Sequence, residues 1–200
     1  MGRITMEKLT NSKTVPTIHS DPHALLSKHT PTSTAILGLG GIGCKVITLA
    51  LKSIPSPKCT MLAVNTDSRQ LDKLSARHAL LLSSESDERF TPIISTHDLI
   101  VVISGAGGIG ERVTRKIINH CHLAGKTLVP VLFKPFEFEG IKRNVSFQNL
   151  VQEALALNNK VLTIDNQEAY EQGSSNKSFL TIETELNELC MNLIRQLEEL

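Results

Sequence analysis

The chain has 200 residues, 40% of them hydrophobic and 20% charged, enough for one α/β domain with its own core and too few for two of ordinary size. Lys and Arg number 21 against 20 Asp and Glu, aromatic residues make up 4%, and Trp is absent. This balance excludes a basic nucleic-acid surface and a base-stacking platform, so no nucleic-acid partner is expected. No apolar run is long enough to span a bilayer, and the N-terminus lacks the apolar stretch of a signal peptide. The four cysteines, Cys44, Cys59, Cys121 and Cys190, are scattered without a CxxC pair. They read as reduced thiols of a cytoplasmic protein.

In chain order, residues 1–33 are polar, proline-punctuated and without period, and read as a flexible arm. His19, His23 and His29 lie within it, too loosely arranged to favour a metal site. Strands are expected at 34–38, 59–65, 79–83, 98–104, 126–133 and 160–164. Helices are expected at 43–53, 68–75, 110–123, 146–158 and 182–200. The polar run Ser83–Arg89 reads as a solvated connection. His120-Cys121-His122 ends a helix; residues at i and i+2 do not share a helical face, and histidine suits a helix C-terminus without any metal. The alternation of strand and helix implies a doubly wound, mainly parallel sheet with helices on both faces, a Rossmann-like α/β domain spanning 34–200.

Two glycine loops of the same design interrupt this pattern. Gly38-Leu39-Gly40-Gly41-Ile42-Gly43 follows Thr34-Ala35-Ile36-Leu37, and Gly105-Ala106-Gly107-Gly108-Ile109-Gly110 follows Leu99–Ser104. Each is a strand, a tight turn and a helix N-terminus, where backbone N–H groups and the helix dipole favour an anion. One such loop is weak evidence, because glycine also serves close packing. Two in one domain point to phosphates held from both sides, with both loops opening on one cleft at the carboxyl ends of the strands. A dinucleotide fingerprint is the simplest alternative, with Asp67 at the end of the second strand as the ribose acid. That alternative does not require a second glycine loop.

The segment Lys134-Pro135-Phe136-Glu137-Phe138-Glu139-Gly140-Ile141-Lys142-Arg143 resembles the KPFxFEGxxR segment of the FtsZ/tubulin-like GTPases. Ala63-Val64-Asn65-Thr66-Asp67 resembles the AVNTD of that family, and the two loops resemble its GxGGGGGN and GGGTGTG loops. Leu162–Asn166 resembles the stretch before its central helix. The resemblance runs from about residue 34 to 200. It implies a tubulin/FtsZ nucleotide-binding domain with GTP or GDP as ligand and Mg2+ accompanying the phosphates. It implies phosphate contacts from Gly40, Gly41, Gly43, Cys44 and Lys45, and from Gly107, Gly108 and Gly110. It also implies sugar and base contacts from Asp67, Glu139, Arg143, Asn166, Asn187 and Glu188.

The chain departs from the family in four ways. Cys44-Lys45 stands where Gly-Asn is usual. Both threonines of GGGTGTG are gone, leaving Glu111 at a helix N-terminus, where it suits the dipole but repels a phosphate, with Arg112 as a possible offset. The loop that senses the terminal phosphate is replaced by Ser83–Arg89, which implies weak discrimination between GTP and GDP. The fourth departure is the family's second domain, which carries its catalytic acids and is not found in these 200 residues. The last helix carries one apolar stripe, Leu186, Leu189, Cys190, Leu193, Ile194, Leu197 and Leu200, opposite Glu185, Glu188, Asn192, Arg195, Glu198 and Glu199, with Met191 outside the stripe. This pattern is expected of a domain that lives alone. The functional expectation is a guanine-nucleotide binder that hydrolyses GTP negligibly and associates with itself or with division-type filament subunits. A nucleotide-free interaction module is the alternative.

Overall fold

The computed structural model describes residues 33–84, 86–157, 160–165, 167 and 179–199. All but Ser33 of the arm expected over 1–33, with its histidines, as well as Asn166, Leu200 and the side chains of Glu185, Leu186 and Leu189, lie outside the described residues. Six strands form one parallel sheet: β1 (Thr34–Leu39), β2 (Thr60–Asn65), β3 (Ala79–Leu81), β4 (Leu99–Gly105), β5 (Thr127–Lys134) and β6 (Leu162–Asp165). Their order is β3-β2-β1-β4-β5-β6. Among the described residues five helices accompany them: α1 (Gly40–Ser53), α2 (Thr91–Thr96), α3 (Ile109–Leu123), α4 (Ile141–Ala156) and α5 (Phe179–Glu198). The sheet is doubly wound, and every described strand pair is parallel.

The strands are nearly continuous apolar runs because both faces are covered. Along β1, Ile36 faces the layer of α1 and α5, where it joins Val46, Ile47, Cys190 and Ile194. Ala35, Leu37 and Leu39 face the other layer, with Ile94, Val113, Ile117 and Leu150 from α2, α3 and α4. Each fully buried aliphatic side chain contributes roughly 1.5–3 kcal/mol of transfer free energy.

Three elements differ from expectation. The helix expected at 68–75 is a single 3-10 turn, Ser68–Gln70, capped by Asp67. Only Leu71 is buried there, too little apolar surface to sustain several turns. Helix α2 was not expected. Its six residues are too few for a period to show, and it is started by Pro92 in the first turn and anchored by Phe90 and Ile94. Helix α4 begins five residues earlier than expected, immediately after Gly140 at φ 100°.

On α5 the buried face is wider than one stripe. Asn187, Cys190, Met191, Leu193, Ile194 and Leu197 are buried, while Glu188, Asn192 and Arg195 are exposed. Met191 therefore belongs to the core. The carboxylate of Glu198 accepts the backbone N–H groups of Lys58 (2.6 Å) and Cys59 (3.0 Å), which ties the end of α5 to the loop before β2. Among the described residues no helix is long and apolar enough to cross a membrane.

Candidate functional site

The strand order reverses direction between β1 and β4, which lie side by side in register from Thr34 opposite Leu99 to Leu39 opposite Ser104. The two glycine loops leave the carboxyl ends of these two strands. They therefore open on the crevice where ligands of doubly wound sheets bind. The loops touch: a Cβ on Gly40 would lie 3.1 Å from the backbone nitrogen of Gly110. Together they floor a cleft of about 400 Å³, lined on the far side by Phe133, Pro135, Glu139 and Arg143.

The glycines divide into two kinds. Gly43 is a packing glycine, since a methyl group there would meet the carbonyl oxygen of Ile103 at 2.4 Å. Its absence of a side chain lets α1 lie against β1 and β4. Gly107 is a conformational glycine at φ 74°, a region that L side chains rarely adopt. The first residues of α1 and α3 have no side-chain cap on their Ncap residues, Leu39 and Gly108. Their first-turn N–H groups are orphan donors of the kind that bind anions.

The wall opposite is held by Glu139. Its carboxylate accepts the backbone N–H of Phe136 at 2.9 Å and pairs with Arg143 one helical turn on. Asn144 Nδ2 donates to the carbonyls of Phe136 and Gly140, both at 3.3 Å. The Arg143 side chain lies across the second loop, with its Nε 3.1 Å from where a Gly107 Cβ would be. Lys134 and Asp165 form an ion pair (2.6 Å) between the ends of β5 and β6.

Glu111 is turned away from solvent and is 5% exposed. One carboxylate oxygen accepts the Gly107 N–H at 2.7 Å. The other accepts from Ser146 Oγ at 2.5 Å and from Arg115 Nη2 at 2.9 Å. Arg115 also pairs with Glu153. Burial by itself raises the Glu111 pKa, but the hydrogen bonds from Ser146, Arg115 and Gly107 and the Arg115 charge outweigh it and hold the carboxyl below the ordinary glutamate range. Arg112, the neighbour expected to offset Glu111, is exposed on the first turn of α3. The partner of Glu111 is Arg115, which the i, i+4 spacing could have indicated.

The residues singled out from sequence are brought together in part. Gly40, Gly41, Gly107, Gly108, Gly110, Glu139 and Arg143 line the cleft. Gly43 lies beneath it. The Cys44 side chain is buried in the core, near the carbonyls of Gly38 and Val64 and the amide of Asn65, and burial pushes its thiol up to about 11. Lys45 is exposed on α1. The Asp67 carboxylate is engaged by Arg69 through Nε (3.0 Å) and Nη2 (2.8 Å). Asn166 lies outside the described residues. Asn187 is buried with an Oδ1 that has no hydrogen-bond partner among them. Glu188 is exposed, 3.9 Å from Arg195. Phe133 and Pro135 line the cleft without having been singled out as site residues. Among the described residues no three His, Cys, Asp or Glu side chains gather as a metal site, and Cys121 is buried.

The chain is similar over 84% of its length to a point mutant of FtsZ from M. jannaschii, with a TM-score of 0.72, 22% identity and 56% of that chain covered. The chain has the FtsZ/tubulin-like fold. CetZ2 from Haloferax volcanii, in a GTPγS-bound protofilament, shares this fold with a TM-score of 0.61, 17% identity and coverage of 84% of this chain and 58% of that one. In sequence, the FtsZ/tubulin-like domain is similar to cell division protein FtsZ 1 of Pyrococcus woesei, 22% identical over 157 residues, or 68% of this chain and 43% of the relative. The cell division protein FtsZ of Buchnera aphidicola subsp. Baizongia pistaciae is 23% identical over 186 residues, or 82% of this chain and 48% of the relative. The domain thus spans less than half the length of these relatives. No family model matches the sequence.

Proposed function

We propose that this domain binds a guanine nucleotide, GTP or GDP, with its phosphates between the two glycine loops and Mg2+ carried in with them. The observation that carries this reading is the placement of two uncapped helix N-termini, those of α1 and α3, at the ends of the adjacent strands β1 and β4. The solved relatives support it: CetZ1 of Haloferax volcanii is described as GDP-bound and CetZ2 as GTPγS-bound. Glu139 and Arg143 serve the sugar side of the ligand. Asn166, Asn187 and Glu188 form its guanine end, where the Asn187 oxygen, without a partner among the described residues, fits a donor such as N1–H.

Hydrolysis by the domain alone is negligible in this reading. The carboxylate that lines the cleft among the described residues is Glu139, and it is committed to Arg143 and the Phe136 N–H. A positioned general base is worth about 10²–10⁴-fold, and none is held there to activate water. The partner is a second copy or a division-type filament subunit, as the names of the relatives suggest. One observation favours a second reading, a module that keeps the fold without nucleotide: Glu111 already occupies a loop N–H. Equilibrium binding of labelled GTP, GDP, ATP and NAD to the purified protein separates these readings. Comparable GTP and GDP affinities with weaker ATP and NAD are expected. Equal affinity for GTP and ATP would overturn the guanine assignment, and no binding at all would favour the module.

A further inference from the structure

We infer that Glu111 is a resident anion of the second glycine loop, one that weakens the loop's hold on any phosphate and so sets the nucleotide affinity of the cleft. This rests on the reading of the cleft as a phosphate site.

Glu111 is the third residue of α3, where an acid ordinarily reaches back to the helix start as half of a capping box. Here it reaches one residue further, past Gly108 to the N–H of Gly107. Gly107 lines the cleft, and its backbone N–H is turned to the protein's own buried carboxylate and so is not left as an open donor of the loop. The arrangement is held from three sides. Ser146 comes from α4, Arg115 from the next turn of α3 and the Gly107 N–H from the loop, and the Glu111 carboxylate itself is buried. It is therefore not a side chain that a ligand can push aside at small cost, because withdrawing a buried carboxylate from its partners leaves them unsatisfied.

The local charge points the same way. Arg115 is shared between the buried Glu111 and the half-exposed Glu153, so its guanidinium does not neutralise Glu111 alone. A phosphate in the cleft meets a Glu111 charge that is only partly offset. The remaining orphan N–H groups of the α1 and α3 first turns still favour an anion. The result is a cleft that accepts phosphates but holds them less tightly than its glycine geometry alone would allow.

The test compares the wild type with Glu111→Thr and Glu111→Gln. Thr removes the charge and the reach. Gln keeps an oxygen for the Gly107 N–H, removes the charge and puts an amide donor where Ser146 and Arg115 now donate, and its near-identical shape keeps the test open where Thr fails to fold. Affinities for labelled GTP and for pyrophosphate are measured by titration, with circular dichroism as the control for folding. Hydrogen exchange at the Gly107 amide is followed in parallel. Both variants are expected to bind pyrophosphate and GTP more tightly, Thr by about tenfold or more, equivalent to 1.4 kcal/mol. The Gly107 amide is expected to exchange faster in the Thr variant. Unchanged affinities in folded variants would overturn the inference and leave the nucleotide reading standing. Tighter pyrophosphate without any GTP binding would uphold the inference and remove the nucleotide reading. Failure of every form to bind either probe would overturn both.

Discussion

Replacing Gly43 by Ala tests whether the first loop is a packing device as well as a turn. The new methyl carbon would lie 2.4 Å from the Ile103 carbonyl oxygen, 2.6 Å from the Gly38 carbonyl carbon and 2.9 Å from the Gly38 Cα. All three atoms are backbone, in the two central strands β4 and β1, so no side-chain rotation relieves the clash. Ordinary contact is 3.4–4 Å, so α1 must move off the sheet by roughly 1 Å. That motion loosens Cys44, Val46 and Ile47, which are almost wholly buried. Overpacking costs about 1–3 kcal/mol where neighbours can give way, and here they cannot, so about 3 kcal/mol is expected. For a domain of this size each kcal/mol lowers Tm by about 2–4 °C, giving a fall of roughly 6–12 °C in calorimetry. Gly41→Ala is the control. Its methyl would meet only Gln70 Oε1, at 3.9 Å, and its stability should stay within about 0.5 kcal/mol of wild type. A Gly43→Ala protein that melts within 2 °C of wild type, measured at the same scan rate, would refute the reasoning.

Three further outcomes are expected. Because the folded Glu111 pKa lies below its ordinary value of 4.5, the carboxylate stabilises the fold above about pH 4.5, and that contribution disappears as pH falls through the depressed value. Urea unfolding from pH 7 down to pH 3 should therefore show wild type losing its advantage over Glu111→Gln in that window, and a constant difference would contradict this. The four cysteines are buried, and burial pushes Cys59 and Cys121 up to about 12. Ellman's reagent at pH 8 should find none of them in the native protein and all of them in guanidinium; one fast native thiol would be inconsistent with this packing. Arg143→Ala should weaken nucleotide binding yet move Tm little, because its ion pair with Glu139 is half exposed and such pairs contribute about 0–1 kcal/mol. A large loss of stability with unchanged binding would reverse the assignment.

What was legible in the sequence is what short-range chemistry determines. Two β-branched runs halting at glycine gave β1, β4 and the starts of α1 and α3. The alternation of strand and helix gave the parallel sheet, and adjacency of β1 and β4 followed from the site lying at a reversal of strand order. What stayed hidden depends on residues distant in the chain. Nothing in the string Gly-Leu-Gly-Gly-Ile-Gly tells Gly43 from Gly41. The difference is made by the carbonyl of Ile103, sixty residues on, which the helix must clear. Met191 fell outside a single stripe because a stripe assumes one packing partner. Helix α5 meets both the sheet and α1, so its buried arc is broader.

Glu111 shows both limits at once. Its position at a helix N-terminus was plain, and so was its conflict with a bound phosphate. The sequence could not say whether that carboxylate would face the cleft as an acid available for chemistry or face inward as a cap. Ser146, thirty-five residues away on α4, and Arg115 on the next turn draw one oxygen inward while Gly107 takes the other. The same residue type at the same helical position would serve the opposite purpose if α4 presented an apolar side chain at 146. The carboxylate would then lose a donor within the fold, and the cleft would become its best-solvated direction. Low hydrolysis and weak phosphate binding are thus one expectation with one structural origin, the inward turn of Glu111. Loosening that carboxylate, by Ser146→Ala, which leaves Arg115 and Gly107 as its donors, should alter both together: nucleotide affinity should shift, and any hydrolysis that emerges should depend on Glu111. Affinity and hydrolysis that both remain unchanged in a folded Ser146→Ala protein would break the link between the two.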